Sequence, residues 1–335
     1  MKRTTIKDLS KYLSLSTSTI SRALLDHKDI KDSTKKRVLD AAKKLKYKPD
    51  STAISLRYGK TKSIGLVVPE MLTPFSANIL KGIQKVTEQK NYKVIILQSD
   101  ENSEREKENL LLLESFKVDG IIINICDQNA NSELYQEIIS RGTPMVFIDR
   151  IPNKNLDVSK IIVDDNNKSA LMVEYLVGKG YCKIAHIMGP NTIKNSRDRA
   201  DGYTRIMSKH KLFDPELIVE AKGLSFKDGR DAIEQLKKKD IKFDAVFAFT
   251  DTLAIGAMNY LHEHNIAIPS QVAIASFSGT ELSQHVFPQI SSVEQPLDLM
   301  GESAATHILE KINDNTLPNE TIVLSANIVY RGSTP

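Results

Sequence analysis

Hydrophobic positions recur with a helical period at the start of the chain. The period places Ile6, Leu9 and Leu13 on one face of a first helix. After a Ser-Leu-Ser break, the same period predicts a second helix that ends near Leu24 and a third that begins at Ser33, with Val38, Leu39, Ala42 and Leu45 facing the core. Three short helices around one small core predict a compact all-α domain.

The outer face of the second predicted helix carries Thr17, Ser18, Ser21 and Arg22. Small hydroxyl groups and one guanidinium bury little apolar area, but they fit a major groove and can exchange hydrogen bonds with base edges there. A surface helical hairpin has the same pattern. These residues alone therefore leave DNA binding and a surface hairpin equally open.

Charge is distributed unevenly along the chain. The 335 residues have a formal net charge of +4, yet residues 1–60 hold 16 Lys and Arg against 6 Asp and Glu, and residues 61–335 hold 30 against 36. A basic segment on an acidic body favours a polyanionic partner for that segment alone. Because the basic segment also has periodic apolar positions, we expect it to fold rather than to remain a solvated tail.

Beyond residue 61, short apolar runs alternate with helical periods. Strands are predicted at residues 64–68, 93–97, 120–123, 145–149, 161–163, 183–188, 244–249 and 272–277. Helices are predicted at residues 75–90, 103–116, 131–141, 166–179, 198–210, 227–239 and 251–264. This alternation predicts an α/β fold with parallel sheets covered on both faces. Its restart near residue 161 predicts two similar lobes with a cleft between them.

Ligands of parallel sheets bind beyond the carboxyl ends of the strands, so residues there are candidates for a binding site. Asp149 follows a predicted strand and could accept hydrogen bonds from sugar hydroxyls, unless Arg150 pairs with it. Asp251 begins a predicted helix after another strand, where a helix N-cap and a ligand contact are equally consistent with the pattern. His186, inside a strand, is expected to be a satisfied core residue.

Several chemistries have no signature in the sequence. There is no GxSxG motif, no GxxxxGK[ST] phosphate loop and no clustered set of metal ligands, so we expect no enzyme, no cofactor and no metal. The N-terminus lacks an apolar signal core, and no apolar run approaches the ~18 residues of a membrane span. Cys126 and Cys182 lie far apart in sequence. These features predict a cytoplasmic protein without a membrane partner.

The segments TIKDLS at 5–10, STISRAL at 18–24 and RVLDAAKKLKYKP at 37–49, followed by DSTAISLR, resemble the DNA-binding domain of the LacI/GalR (lactose/galactose-repressor) family. The resemblance implies a helix-turn-helix domain over residues 1–49, and a hinge helix with its linker over residues 50–61 that folds in the minor groove. Residues 62–335 would form the effector-binding and dimerisation domain.

The resemblance also implies individual DNA contacts. Base readers would be Thr17, Ser18 and Arg22, backbone contacts would come from Thr5, Ser16, Thr19 and Ser21, and Leu56 would be an apolar wedge between central base pairs. Two positions depart from the family. The usual Ala-Gly-Val turn is Leu13-Ser14-Leu15 here, and Ile54 stands where a hinge arginine is usual.

The body resembles the two-lobed periplasmic-binding-protein type 1 fold of the same family, with QISSVEQPLDLMG at 289–301 as a crossover and returning helix. In that fold the chain crosses between lobes three times, here near residues 162, 292 and 323. The N-lobe would then comprise residues 62–161 and 293–322. The C-lobe would comprise residues 163–291 and 324–335.

In the cleft, Phe75 matches a family aromatic residue and Arg199 matches the family's ligand-clamping arginine. A guanidinium suits paired hydroxyls or a carboxylate. Ser278 stands where a carboxylate commonly holds the effector, and Leu224 where an aromatic residue often stacks on it. A modified sugar, an acidic sugar facing Arg199, and no small effector at all remain three open alternatives.

We interpret the chain as a sequence-specific DNA-binding regulator, a homodimeric repressor of carbohydrate-utilisation genes. Two heads would read a near-palindromic operator of double-stranded DNA, and a sugar or sugar derivative would control operator affinity from the cleft. Control by a protein co-repressor is one alternative. A cytoplasmic solute-binding protein without gene control, and an α/β enzyme with a basic appendage, are others.

Overall fold

The computed structural model describes residues 4–47 and 60–334. They form two compact units that meet in sequence between Thr61 and Lys62, and each unit is described by itself. The predicted hinge helix and its Leu56 lie outside the described residues.

Three helices form the first unit: α1 (Ile6–Leu13), α2 (Thr17–Leu24) and α3 (Asp32–Lys44). All three contribute to one small core, whose buried members are Leu9, Ile20, Ala23, Val38 and Ala41. Leu39, which the helical period had assigned to this core, is 54% exposed. It lies about 100° around α3 from Val38, so the two side chains cannot share one face.

Ser14 forms the turn between α1 and α2 in the left-handed conformation, with φ 52° and ψ 40°. Its N–H donates to the Ser10 carbonyl, and the Ser10 hydroxyl donates to the Leu15 carbonyl at 2.6 Å. Glycine is the residue that normally adopts such a conformation without steric cost. The Leu13-Ser14-Leu15 departure therefore makes a left-handed turn with serine.

The second unit alternates strands and helices. Its strands are β1 (Ser63–Val68), β2 (Lys93–Gln98), β3 (Gly120–Ile123), β4 (Met145–Ile148), β5 (Ser159–Val163), β6 (Ile184–Met188), β7 (Ile218–Glu220), β8 (Ala245–Ala248), β9 (Ala273–Ser278), β10 (Ser291–Glu294), β11 (Thr321–Leu324) and β12 (Asn327–Val329). Its α-helices are α4 (Pro74–Gln89), α5 (Ser103–Ser115), α6 (Ser132–Ser140), α7 (Asp165–Gly178), α8 (Lys194–Lys209), α9 (Phe226–Lys238), α10 (Asp251–Glu263), α11 (Glu281–Gln284) and α12 (Leu297–Asn313).

These strands form two six-stranded sheets. The first has the order β11-β5-β4-β3-β1-β2 and is entirely parallel. The second has the order β12-β10-β9-β8-β6-β7 and is parallel except for β12, which is antiparallel to β10. The predicted α/β architecture with parallel sheets is confirmed. The connections after β5, β10 and β11 each run from one sheet to the other.

Helices cover both faces of the first sheet, so successive strand residues are buried on opposite sides. Leu66 of β1 packs in the core that includes α4 and α12, whereas its neighbour Val67 packs in the core that includes α5 and α6. Helices α4 and α12 approach closely at Gly82, where a Cβ atom would lie 2.0 Å from the Asp298 carbonyl oxygen. This side of the sheet therefore requires glycine at the crossing. No described helix is long and apolar enough to span a membrane.

Candidate functional site

The first turn of α2 presents a network of hydroxyl groups. Ser16 is the N-cap, and its Oγ accepts the Thr19 backbone N–H at 3.0 Å. The same Oγ lies 2.8 Å from Ser18 Oγ and 2.8 Å from Thr19 Oγ1. Thr17 is exposed beside them. The predicted contacts Ser16, Thr17, Ser18 and Thr19 thus lie together at one helix end, which suits phosphate and base-edge recognition.

Arg22 lies one turn further along α2 and is partly exposed. No residue among 4–47 and 60–334 forms a hydrogen bond or ion pair with its guanidinium. Ser21 lies next to it and is also partly exposed. A guanidinium with free donors can bind the two acceptors of guanine in a bidentate contact.

Two further polar groups of the first unit already have hydrogen-bond or ion-pair partners within that unit. Thr5 is the N-cap of α1 in a capping box: its hydroxyl accepts from the Asp8 N–H, and Asp8 accepts from the Thr5 N–H at 2.8 Å. Lys35 of α3 pairs with Asp26 at 2.6 Å. Thr5 is nevertheless exposed, so its backbone and hydroxyl remain at the surface.

In the second unit, a cavity of about 470 Å³ opens at the carboxyl ends of the strands. All six residues predicted for the effector cleft line it: Phe75, Asp149, Arg199, Leu224, Asp251 and Ser278. They come from both sheets and their helices. The cavity size lies within the range of small-molecule sites.

Arg199 of α8 is only 3% exposed and is held by two hydrogen bonds and two aromatic rings. Its Nε donates to Asp165 Oδ1 at 2.7 Å, and its Nη1 donates to the Phe249 carbonyl at 2.5 Å. The guanidinium carbon lies 3.6 Å from the centre of the Phe277 ring and 4.4 Å from that of Phe249. Burial raises the pKa of Asp165 to about 6, and the adjacent Arg199 opposes that rise.

Asp149 follows β4 with a left-handed φ of 63° and is 7% exposed. Its Oδ1 accepts from Asn195 Nδ2 at 3.3 Å and from Gln295 Nε2 at 3.2 Å, and its Oδ2 lies 3.5 Å from Asn124 Nδ2. Arg150 does not pair with Asp149. It forms a bidentate pair with Glu101 instead, at 2.7 and 2.9 Å. Within the described part of the chain, the Asp149 carboxylate is therefore held by amides alone.

Asp251 is 1% exposed, and both of its carboxylate oxygens are occupied. Oδ1 accepts from the Ser276 and Ser292 hydroxyls, and Oδ2 accepts from the Thr280 N–H at 2.6 Å and the Thr280 hydroxyl at 2.9 Å. Burial raises its pKa, and these donors oppose the rise, that of Ser276 most. The N-cap of α10 is Thr250, so Asp251 fixes the loop after β9 rather than capping its own helix.

Ser278 ends β9 with a φ of 97°, a conformation that non-glycine residues rarely adopt. Strained backbone of this kind clusters at ligand sites. Among the described residues, its hydroxyl has no hydrogen-bond partner, although its carbonyl accepts from the Gln295 N–H at 3.1 Å. The side chain that replaces the family carboxylate is therefore a short hydroxyl at the cavity wall.

Three amides in this region were not predicted from the sequence: Asn124, Asn195 and Gln295. Asn124 follows β3, so the strand-end rule that selected Asp149 would also have selected it. Asn195 lies in the first turn of α8 and Gln295 in a connection between sheets, where no sequence pattern marks them. His186, predicted to be satisfied, bonds the Phe247 carbonyl through Nδ1 at 2.9 Å, but its Nε2 has no partner in the described part of the chain.

No group of three or more His, Cys, Asp or Glu among the described residues is arranged to hold a metal ion.

The chain matches two family descriptions: residues 5–50 match the bacterial regulatory proteins of the lacI family, and residues 61–329 match periplasmic binding proteins and the sugar binding domain of the LacI family. Together they span the head and nearly all of the body.

Individual relatives match this chain over nearly its whole length and over nearly their own. The ribose operon repressor of Escherichia coli is 27% identical, over 98% of this chain and 99% of its own. The HTH-type transcriptional regulator RegA of Clostridium saccharobutylicum is 30% identical over 99% of both. The lac repressor dimer bound to operator and the anti-inducer ONPF has the same fold, with a TM-score of 0.88, 22% identity and 99% coverage of both chains. This chain is a member of the LacI family of DNA-binding transcriptional regulators, which are not enzymes.

Proposed function

We propose that this regulator is a homodimeric repressor of carbohydrate-utilisation genes, controlled by a sugar or sugar derivative in the cleft cavity. The observation that carries the proposal is the cavity itself, because six residues selected for effector binding line one 470 Å³ space at the strand ends. The relatives named ribose operon repressor and the lac repressor, crystallised with operator and anti-inducer, support the same combination of roles.

For the operator, Arg22, Thr17 and Ser18 are the proposed base readers, and the N-terminus of α2 is the proposed phosphate contact. The exposed or half-exposed hydroxyls and the free guanidinium of α2 support this assignment. Leu56 remains the proposed minor-groove wedge. The proposed helix-turn-helix domain comprises residues 1–49. The proposed hinge comprises residues 50–61, and the proposed body comprises residues 62–335.

A second copy of the chain is proposed to cover one apolar face of the body. Strand β2 is the last strand of its sheet, and with the end of α5 it exposes Ile96, Leu111, Leu112 and Phe116. An exposed edge strand beside apolar side chains is unfavourable in water unless another surface covers it. Phe116→Glu should therefore yield monomers in sedimentation. Phe213→Glu, at a 40% exposed phenylalanine in the loop after α8, is the control and should leave the dimer intact.

The experiment that tests the DNA-binding proposal is a selection of genomic fragments bound by purified full-length protein at moderate salt. We expect a near-palindrome with two half-sites, and neighbouring genes for carbohydrate uptake or breakdown. Arg22→Ala should cost ~1–3 kcal/mol of specific binding and relax one position of each half-site. Lys28→Ala, which removes the same charge from an exposed loop, should weaken all sequences alike. Recovery of random sequence by the wild type would reject sequence-specific control.

Control by a protein co-repressor is the second candidate. Operator binding that responds to a phosphoprotein and to no sugar would favour this candidate over control by a sugar.

A further inference from the structure

Hydrogen bonds join the loop after β3, in the first sheet, to the loop and helix after β6, in the second. Gln128 lies in the first of these loops, and its backbone N–H donates to the Thr192 carbonyl at 3.2 Å. Its side-chain Oε1 accepts from Arg197 Nη2 at 2.6 Å. Gln128, Thr192 and Arg197 together form an inter-sheet bridge. This bridge links the two sheets at a point away from the chain connections between them.

Each end of the inter-sheet bridge is anchored on its own side. On the first side, the Gln128 carbonyl accepts from the Asn153 N–H at 2.8 Å, which ties the loop after β3 to the loop after β4. On the second side, Arg197 Nη1 donates to the Asn191 carbonyl at 2.8 Å. Asn191 in turn donates through its N–H and its Nδ2 to the Glu220 carboxylate, both at 2.9 Å. Separation of the two sheets at this point therefore breaks the bridge.

The Gln128 amide has one orientation that fits its surroundings. Gln128 is 2% exposed, and its Nε2 has no hydrogen-bond partner among the described residues. Exchange of Oε1 and Nε2 would set a donor against the guanidinium of Arg197, so the assigned orientation is the favourable one. A buried donor without a partner costs free energy. Water can solvate that donor when the sheets separate here, so the bridged arrangement is favoured only slightly.

The inter-sheet bridge lies outside the cleft cavity. Neither Gln128 nor Arg197 lines the cavity, whereas Arg199, two residues further along α8, does. Residues two apart on an α-helix point about 200° apart, so Arg197 and Arg199 face opposite sides of α8. One helix therefore carries a cavity residue on one side and the bridge on the other. A displacement of α8 relative to the first sheet changes the bridge.

We infer that the inter-sheet bridge is a conformational latch, which holds the two sheets in this arrangement and opens when they move apart. A ligand shifts such an equilibrium only by its differential affinity for the two arrangements. A ligand that favours the bridged arrangement is therefore helped by the latch, and a ligand that favours a wider one has to overcome it. The inference concerns the body alone and rests on neither the proposed effector nor the proposed operator.

Hydrogen exchange of the full-length protein, resolved to single amides by mass spectrometry, tests the inference without a ligand. The Gln128 N–H reports the bridge directly, because its acceptor lies on the side of the second sheet. Arg197→Met deletes the side-chain hydrogen bond and should speed exchange of this amide about five-fold, which corresponds to ~1 kcal/mol. The Asn124 N–H donates to the Val67 carbonyl within the first sheet at 2.9 Å, so its exchange should not change.

Two further comparisons separate the latch from a general loss of packing. Arg205→Met removes a guanidinium from the same helix, where it bonds Asn166 at the surface, and should leave exchange of the Gln128 amide unchanged. In a Gln128→Met background, Arg197→Met should change exchange at residue 128 less than two-fold, because the bond that it deletes is already absent.

Three results would overturn the inference. The first is equal exchange of the Gln128 amide in the wild type and in Arg197→Met. The second is equal acceleration at Asn124, because Arg197 would then stabilise the local fold rather than join the sheets. The third is a full five-fold effect of Arg197→Met in the Gln128→Met background, because the two side chains would then act independently.

Discussion

Replacement of Arg199 by methionine should destabilise the body severely, before any effect on a ligand is considered. Methionine keeps the apolar volume between Phe249 and Phe277, but it removes the one cation that pairs with Asp165 among the described residues. Asp165 is 5% exposed, and its remaining donor is Asn195 Nδ2 at 3.1 Å. Removal of one partner from such a buried pair typically costs ~3–5 kcal/mol.

The pH dependence of this loss has a definite sign. Burial raises the pKa of Asp165 in the folded protein to about 6, against 3.8 in the unfolded chain, although Arg199 lowers it. The stability that the Asp165 carboxyl contributes is therefore fully present below pH 3.8 and is lost as the pH rises towards 6. Without Arg199 the folded pKa moves higher still, so the loss continues above pH 6 at ~1.4 kcal/mol per unit. The penalty of Arg199→Met should be larger at pH 7.5 than at pH 5.

Urea unfolding followed by circular dichroism at both pH values measures this penalty. Arg205→Met is the control, because Arg205 lies on the same helix, is exposed at the surface and makes one hydrogen bond, to Asn166 at 2.9 Å. It should change stability by about 0.5 kcal/mol or less. Adding Asp165→Asn to Arg199→Met should recover part of the loss. A penalty below about 1 kcal/mol for Arg199→Met at pH 7.5, equal to that at pH 5, would refute the reasoning.

Three further predictions concern other parts of the chain. Burial lowers the pKa of His186 to about 4 in the folded protein, against 6.5 in the unfolded chain, so the stability that the neutral imidazole contributes is lost as the pH falls from 6.5 to 4. His186→Phe should therefore remove up to ~3 kcal/mol of this acid-induced loss of unfolding free energy, measured by urea unfolding. Gly82→Ala places a Cβ atom 2.0 Å from the Asp298 carbonyl and should cost ~1–3 kcal/mol, whereas Gly178→Ala meets nothing within 4 Å and should be harmless in the same assay. Ser14→Gly relieves a left-handed serine and should slow amide hydrogen exchange in α1 and α2, and faster exchange would contradict the strain.

The sequence predicted the long elements because burial on both sheet faces leaves continuous apolar runs. All seven helices predicted in the body lie within about four residues of helices in the structure. The missed strands are β7, β10, β11 and β12, which have three or four residues each; all but β10 are edge strands. In β11, exposed and half-buried positions alternate over only four residues, of which three are apolar, and β7 and β12 have three residues each.

The candidate cleft was predictable to the extent that strand ends were predictable. Asp149 and Asp251 each follow a strand closely, and strand ends converge at one edge of a parallel sheet. The other four residues, Phe75, Arg199, Leu224 and Ser278, were predicted from the family resemblance. The partners of these residues were not predictable. Glu101 lies in the loop after β2 and Asp165 begins α7, and only the folded chain shows that they neutralise Arg150 and Arg199.

Asp149 is the residue at which a ligand and the connections between sheets would meet. It follows β4 of the first sheet, while its Oδ1 accepts from Asn195 of α8, beside the second sheet, and from Gln295 in the connection between β10 and α12. A ligand hydroxyl that competed for Oδ1 would weaken the bonds to Asn195 and Gln295, whereas one that bound Oδ2 would leave them intact. Because a ligand shifts an equilibrium only by its differential affinity for two states, ~1–3 kcal/mol in typical cases, the oxygen that a ligand engaged would decide whether it favoured one arrangement of the two sheets over another.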